Sequence, residues 1–339
     1  APGHREYSKT MIRSILGADA QYGLVLVPGP EEAQLIRQEE ENSGIPRLDE
    51  ITREHLILMS SQDAPLIVAL SKTDRTNEQD MELVMNVLRK SLKDIGRIPV
   101  VVREEDEIPP VLREIRNGVI VPIFLTSALD TSSLNLLTQF LKEIPLDTTR
   151  FSPTDPAKAY VDKVYRGIKG TNVVVTGTVN SGVFKKGQAV AIGPDTNNSF
   201  QEGRLFSIEM FKKRIGSVKS GDLFGFDIKD VDRHEVRRGQ LVTDPEVDSK
   251  GSRTFEANIV VTRHPTRISV GYSPVMQCHT IQQTVVLRKI YDSDYLSVGD
   301  FARVQLEFLS SAEAISVGNK IVLREANTRA IGTIVEALD

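Results

Sequence analysis

At 339 residues, with 40% hydrophobic and 26% charged side chains, the chain is long enough for two or three globular domains, each with a sizeable core. Its 42 basic and 46 acidic residues leave a formal net charge of −4, which excludes a protein that coats nucleic acid by bulk charge and confines any such contact to a local surface. The single Cys278 excludes an intrachain disulfide framework or a paired-cysteine zinc site and reads as a small buried hydrophobe; with no apolar run of roughly 18 residues and no signal-peptide pattern, a soluble cytoplasmic protein is expected.

In chain order, the string Ala1-Pro2-Gly3-His4 comes first, and Tyr7, Met11, Ile12 and Ile15 then share a helical face that stops near Gly17. Leu24 to Val27 predicts a short buried strand. The stretch from Pro28 to Arg53 carries Glu31, Glu32, Glu39, Glu40, Glu41, Asp49 and Glu50 and reads as an exposed acidic insertion, a solvated loop or short surface helix, with a partner-binding element as the alternative. Ile67 to Leu70 repeats the strand signal. Met81, Met85, Leu88 and Leu92 recur at helical spacing, and Pro99 to Val102 and Val119 to Leu125 give further strands. A helix carrying Leu134, Leu137 and Leu141, capped by Ser132 or Ser133, closes the unit. Apolar strands alternating with helices argue for a mostly parallel sheet covered on both faces, so residues 1–149 are expected to form an α/β domain.

Turn formers from Pro145 to Pro156 end that pattern. Beyond them come short alternating strands punctuated by glycine: Asn172–Thr178, a Ser181-Gly182 turn, Gln188–Ile192, Arg204–Met210 and Leu223–Ile228. A polar stretch from Asp244 to Ser252 marks a second boundary. Two antiparallel β-barrels are expected, over residues 150–247 and 252–339.

Ligands of an open parallel sheet bind beyond the carboxyl ends of its strands, so polar strings in that position carry the most weight. Ser71-Lys72-Thr73-Asp74 follows the strand ending at Leu70. Its aspartate can accept both N–H donors of a guanine edge, and the Lys72 stem can lie over the base. A ligand-free charged loop is the competing account. Thr126-Ser127-Ala128-Leu129 follows the strand ending at Leu125; its backbone N–H groups can meet the guanine oxygen, or its small residues can simply cap a turn. Gly3 can offer an N–H to a γ-phosphate while His4 orders the attacking water, against the alternative of a surface histidine. The string G-x-x-x-x-G-K-[ST] occurs nowhere in the 339 residues.

Taken in order, these strings resemble the elongation factor Tu / elongation factor 1-alpha superfamily of translational GTPases. The helix beginning Gly3-His4-Arg5-Glu6-Tyr7, the string Thr52-Arg53-Glu54-His55-Leu56, Thr176-Gly177-Thr178-Val179 with Ser181-Gly182, and Ile208-Glu209-Met210-Phe211 all carry the likeness. Arg263-His264-Pro265-Thr266 and the ending from Arg324-Glu325 to Gly332-Thr333-Ile334 are most similar to the branch of GTP-binding proteins 1 and 2. The resemblance implies a partial P-loop GTPase domain, cut before its γ-phosphate-sensing aspartate, followed by two β-barrels.

It further implies GTP or GDP with Mg2+ in the full-length protein, aminoacyl-tRNA and the ribosome as partners, a monomer, and neither membrane nor DNA binding. Carried over, His4 is catalytic, Gly3 meets the γ-phosphate, and Ser71, Lys72, Asp74, Ser127, Ala128 and Leu129 hold the base. Glu209 takes the position that meets the 3′-terminal adenosine of tRNA, with Lys212, Lys213 and Arg214 beside it for phosphates, and Arg324, Glu325 and Arg329 fall in the segment facing the T-stem backbone. Ser71 stands where the family has asparagine. The alternatives are a specialised carrier of the selenocysteine-factor or initiation-factor-2-gamma type, and a non-enzymatic scaffold that lost its phosphate site. By itself the 339-residue chain is expected to be inactive toward GTP.

Overall fold

The computed structural model describes residues 12, 15–17, 20–62, 64–146, 154–247, 249–325 and 328–338. Gly3 and His4, with Tyr7 and Met11 of the first expected helix, lie outside the described residues. The chain divides into two compact units, one of residues 20–146 and the other of residues 154–338 together with 12 and 15–17.

In the first unit four parallel strands, β1 (Gly23–Pro28), β2 (Leu66–Ser71), β3 (Ile98–Val102) and β4 (Ile120–Leu125), stand in the order β1-β2-β4-β3. The five residues Leu66 to Leu70 are buried without alternation, as a strand covered on both faces requires. Helices α1 (Gly29–Ser43), α2 (Glu50–Ser60), α3 (Glu78–Asp94), α4 (Ile108–Glu114) and α5 (Thr131–Glu143) supply that cover. On α3 the apolar spacing buries Met85, Leu88 and Leu92, with Val84 and Val87 beside them.

Two expectations are corrected here. The acidic stretch is a surface helix, one of the two forms expected, but no loose insertion: it folds into α1 and the start of α2, with Ala33, Ile36 and Leu48 at 0% exposure in the core. Even Glu32 is buried, its carboxylate accepting from the Asp49 N–H at 2.6 Å and the Thr52 hydroxyl at 2.8 Å. Burial pushes this carboxyl above the usual glutamate range. Counting acids concealed a narrow apolar stripe on one side of a charged helix. The last helix, α5, is capped by Asp130, which accepts from the Ser132 N–H, rather than by a serine. Phe140, packed on Phe124 with ring centroids 4.9 Å apart, is its buried anchor, while Leu134 and Leu141 stay exposed.

The second unit holds two closed six-stranded barrels. Strands β5 (Lys158–Arg166), β6 (Val173–Ser181), β7 (Val183–Lys185), β8 (Ala189–Gly193), β9 (Gln201–Met210), β10 (Lys213–Ile215), β11 (Ser217–Lys219), β12 (Leu223–Lys229) and β13 (Leu241–Thr243) belong to the first. Its staves run β9-β12-β6-β5-β13-β8 and close from β8 back to β9, with β10 added outside β9. At the β6–β7 turn Gly182 has φ 68°, and a Cβ there would lie 2.5 Å from the Asp155 carbonyl oxygen, so the turn requires glycine.

The second barrel comprises β14 (Thr254–Arg263), β15 (Ile268–Ser269), β16 (Val275–Cys278), β17 (Ile281–Ile290), β18 (Tyr295–Leu296), β19 (Phe301–Phe308), β20 (Lys320–Glu325) and β21 (Thr328–Ala337), closed in the order β14-β19-β17-β16-β20-β21. Cys278 is buried in its core, where desolvation pushes the thiol up to about 12. Between the barrels the Arg237 guanidinium donates to both oxygens of Glu313, at 2.8 and 2.9 Å, and the Gln283 amide donates to the same carboxylate at 2.6 Å. Tyr160 Oη donates to the Ala314 carbonyl at 3.0 Å, and Thr280 Oγ1 to that of Val161 at 2.8 Å.

Candidate functional site

The parallel pairing of β2 with β4 sets Leu70 opposite Leu125, so the loops that follow leave the sheet side by side. Backbone bonds tie them together: the Thr126 N–H donates to the Leu70 carbonyl at 2.8 Å, and the Thr73 N–H to that of Thr126 at 3.2 Å. Ser127, buried at 2% exposure, donates its hydroxyl to the Asp74 carboxylate and accepts from the Leu129 N–H at 3.0 Å. Ser133 Oγ in turn accepts from the Ser127 N–H at 3.1 Å. The Asp74 carboxylate is thus aimed by a buried hydroxyl and stays open to solvent on its other side.

Beside this carboxylate Ala128 is exposed and Leu129 is 85% exposed, an apolar surface that a flat ring would cover. Lys72 adopts the left-handed conformation at φ 60°, and its ammonium pairs with Glu31 on the first turn of α1. That bond, ahead of every other influence, holds the Glu31 carboxyl below the usual range. Ser71 makes one long contact, from Oγ to the Val27 carbonyl at 3.4 Å. Sequence reasoning missed Glu31, grouping it with a solvated acidic stretch. The missed signal was its place directly after the carboxyl end of β1, where the strand-end rule applies as well. Among the described residues no group of three His, Cys, Asp or Glu side chains is placed to hold a metal ion.

On the first barrel, β9 and β10 form a hairpin with Met210 opposite Lys213. Its two-residue loop is Phe211-Lys212, with φ of 50° and 64°. Positive φ at both positions is the type I′ pattern, usually filled by asparagine and glycine. Here it holds Phe211 76% exposed at the tip. Glu209 lies opposite Arg214, 3.5 Å from its guanidinium, and on its other side faces Gly225 of β12, which leaves an open floor. Lys212 and Lys213 are exposed. Arg204 belongs to the other end of β9, opposite Ala189 and Lys229, and does not join this cluster.

On the second barrel Arg324 and Arg329 face one another across β20 and β21, with Glu325 opposite Thr328. Their settings differ. Glu325 is exposed and Arg329 half-buried, but Arg324 is only 8% exposed, leaving little of its guanidinium available to a partner.

A parallel sheet whose two strand-end loops are bonded side by side, followed along the chain by two six-stranded barrels, is the architecture of the translation-factor GTPase class. The elongation factor Tu GTP-binding domain family matches residues 1–146, and elongation factor Tu domain 2 matches residues 172–243. Elongation factor 1-alpha of Archaeoglobus fulgidus is 30% identical over 90% of this chain and 69% of its own length. The chain belongs to the elongation factor Tu / elongation factor 1-alpha superfamily. GTP-binding protein 1 of Xenopus laevis is 29% identical over 99% of the chain, and GTP-binding protein 2 of Mus musculus 28% identical over 98%. The chain spans about half the length of these two relatives, 49% and 54%. Translation elongation factor SelB of Methanococcus maripaludis, solved with the GTP analogue GPPNHP, shares the fold over the whole chain and 70% of its own, at a TM-score of 0.68 and 18% identity.

Proposed function

We propose that the full-length protein binds and hydrolyses GTP and carries aminoacyl-tRNA to the ribosome. One observation carries the nucleotide part: the Ser127 hydroxyl joins the two strand-end loops by bonding to Asp74, directly beside the exposed Leu129. In this reading Asp74 accepts from the two N–H donors of guanine, the Lys72 stem and Leu129 cover the faces of the ring, and the Ala128 N–H meets its carbonyl oxygen, the Ser127 N–H being held by Ser133. Gly3 and His4 take the γ-phosphate and the attacking water, by positioning rather than by proton abstraction.

The RNA part rests on the barrel hairpin. Glu209 meets the terminal adenosine of the tRNA, Lys212, Lys213 and Arg214 pair with nearby phosphates, and Phe211 offers a face for a base. Glu325 and Arg329, with the shielded Arg324, turn toward the T-stem backbone. Soluble, monomeric action in the cytoplasm goes with this role; among the described residues no helix is long and apolar enough to cross a membrane.

The deciding experiment is competition binding of guanine and xanthine nucleotides to the full-length protein. Asp74→Asn is expected to move preference from guanine toward xanthine, since an amide donates where the carboxylate only accepts. An unchanged preference removes Asp74 from base recognition, and failure of the unsubstituted protein to bind GTP favours a scaffold.

A further inference from the structure

Helix α1 starts against the base-reading loop itself. A Cβ on Gly29 would come within 2.5 Å of Thr76 Oγ1 and 3.3 Å of the Ser71 carbonyl oxygen, so a side chain there would displace the Thr76 hydroxyl from its bond to the Lys72 carbonyl. Beyond it, Glu31 pairs with the Lys72 ammonium. Arg37, farther along the helix, pairs with Asp80, whose carboxylate also takes the Asn77 amide at 3.0 Å. The helix is therefore tied to the chain on both sides of Asp74. The loop's own first residue, Ser71, fixes it only through the 3.4 Å contact to Val27, a weak bond. Yet Lys72 stands at φ 60°, a conformation that a residue with a Cβ keeps only when its surroundings hold it there.

We propose that Glu31 is a positioning residue for base recognition: by anchoring the Lys72 ammonium, it lays the lysine stem along the face on which the guanine ring stacks. This rests on the guanine reading of the loops. Glu31 touches neither base nor phosphate and acts through Lys72 alone. It supplies from outside the loop a restraint that Ser71 gives only weakly. Both side chains are partly solvated, at 44% and 47% exposure, so the effect is salt-sensitive and moderate.

The test is fluorescence titration of the full-length protein with mant-GDP at low and high salt, about 0.05 and 1 M. Glu31→Gln is expected to weaken binding by about 3- to 10-fold at low salt and by less at high salt, while Glu31→Asp retains most of the affinity. In a Lys72→Gln background, Glu31→Gln is expected to have no further effect, the signature of action through the lysine. Unchanged affinity of Glu31→Gln at low salt overturns the proposal. So does tighter binding, which would mean that the pair holds Lys72 away from the base, and so does equal weakening in the Lys72→Gln background. If the unsubstituted protein fails to bind mant-GDP, the guanine reading falls and this inference with it; binding that Glu31→Gln leaves untouched sinks the inference alone.

Discussion

Two sets of polar side chains in the molecule are used in opposite ways, those that tie segments together and those of the hairpin on the first barrel. In the sheet unit Glu32, Ser127 and Asp74 are each engaged by hydrogen bonds that tie one segment to another, and the same holds for Glu313 where the two barrels meet. At the β9–β10 hairpin polar and apolar groups instead stand in solvent on a backbone bend that neither Phe211 nor Lys212 favours. Buried polar groups are costly unless satisfied, and once satisfied they fix geometry. Exposed groups on a bend of this kind contribute little to folding and are available to a partner.

The largest effect expected from this contrast is at the barrel contact. Arg237→Ala strands a buried carboxylate and should cost about 3–5 kcal/mol of stability in thermal unfolding. Burial already raises the Glu313 carboxyl above its ordinary range, and Arg237 is the leading group holding it down. Without Arg237 it rises further, and a group raised in the folded state loses its stabilising contribution as pH climbs through the folded value. The deficit should therefore be largest above the folded value and shrink as pH falls toward the ordinary glutamate range; a deficit independent of pH would place the loss elsewhere. Next comes Ile36→Ala on α1, expected to cost about 2–4 kcal/mol in denaturant unfolding, against less than about 0.5 for Glu40→Ala on the exposed face. Equal, small costs would restore the exposed-insertion reading of the acidic stretch.

At the hairpin the effects fall on binding. Glu209→Ala should reduce the advantage of tRNA with an intact 3′ adenosine by about 1–3 kcal/mol and leave the salt slope unchanged. Neutralising Lys212, Lys213 and Arg214 should lower the log–log salt slope by roughly one unit per lost phosphate contact. Binding like that of the unsubstituted protein at every salt level, in both variants, would remove the hairpin from RNA recognition. The smallest effect expected is for Lys212→Gly, a gain of up to about 1 kcal/mol in stability because glycine accepts the positive φ freely, with a weaker hold on RNA. A loss of stability would show that the lysine stem packs usefully on the barrel.

The alternation of apolar strands and helices was enough to read the α/β unit. The placing of Ser71-Lys72-Thr73-Asp74 and Thr126-Ser127-Ala128-Leu129 directly after strands was enough to pair them as one candidate site. Both features are local, and periodicity and strand ends are written along the chain. The folding of Pro28–Arg53 was illegible, because Ala33, Ile36 and Leu48 are outnumbered by acids whose burial or exposure depends on which side of a helix they occupy. The cap on α5 was misassigned by two or three residues for a similar reason, since Asp130 and the serines after it all have capping side chains.

By itself, then, the sequence determined the main alternation of strands and helices outside Pro28–Arg53, the class of each domain and the strings of the candidate site, since each follows from neighbours along the chain. Only the tertiary structure decided that Glu31 meets Lys72, that Ser127 aims Asp74, that Arg324 is shielded while Glu325 is not, and that Glu313 joins the two barrels. Those pairings bring together residues far apart in the chain. Their partners are set by strand register and helix packing, which no local pattern encodes.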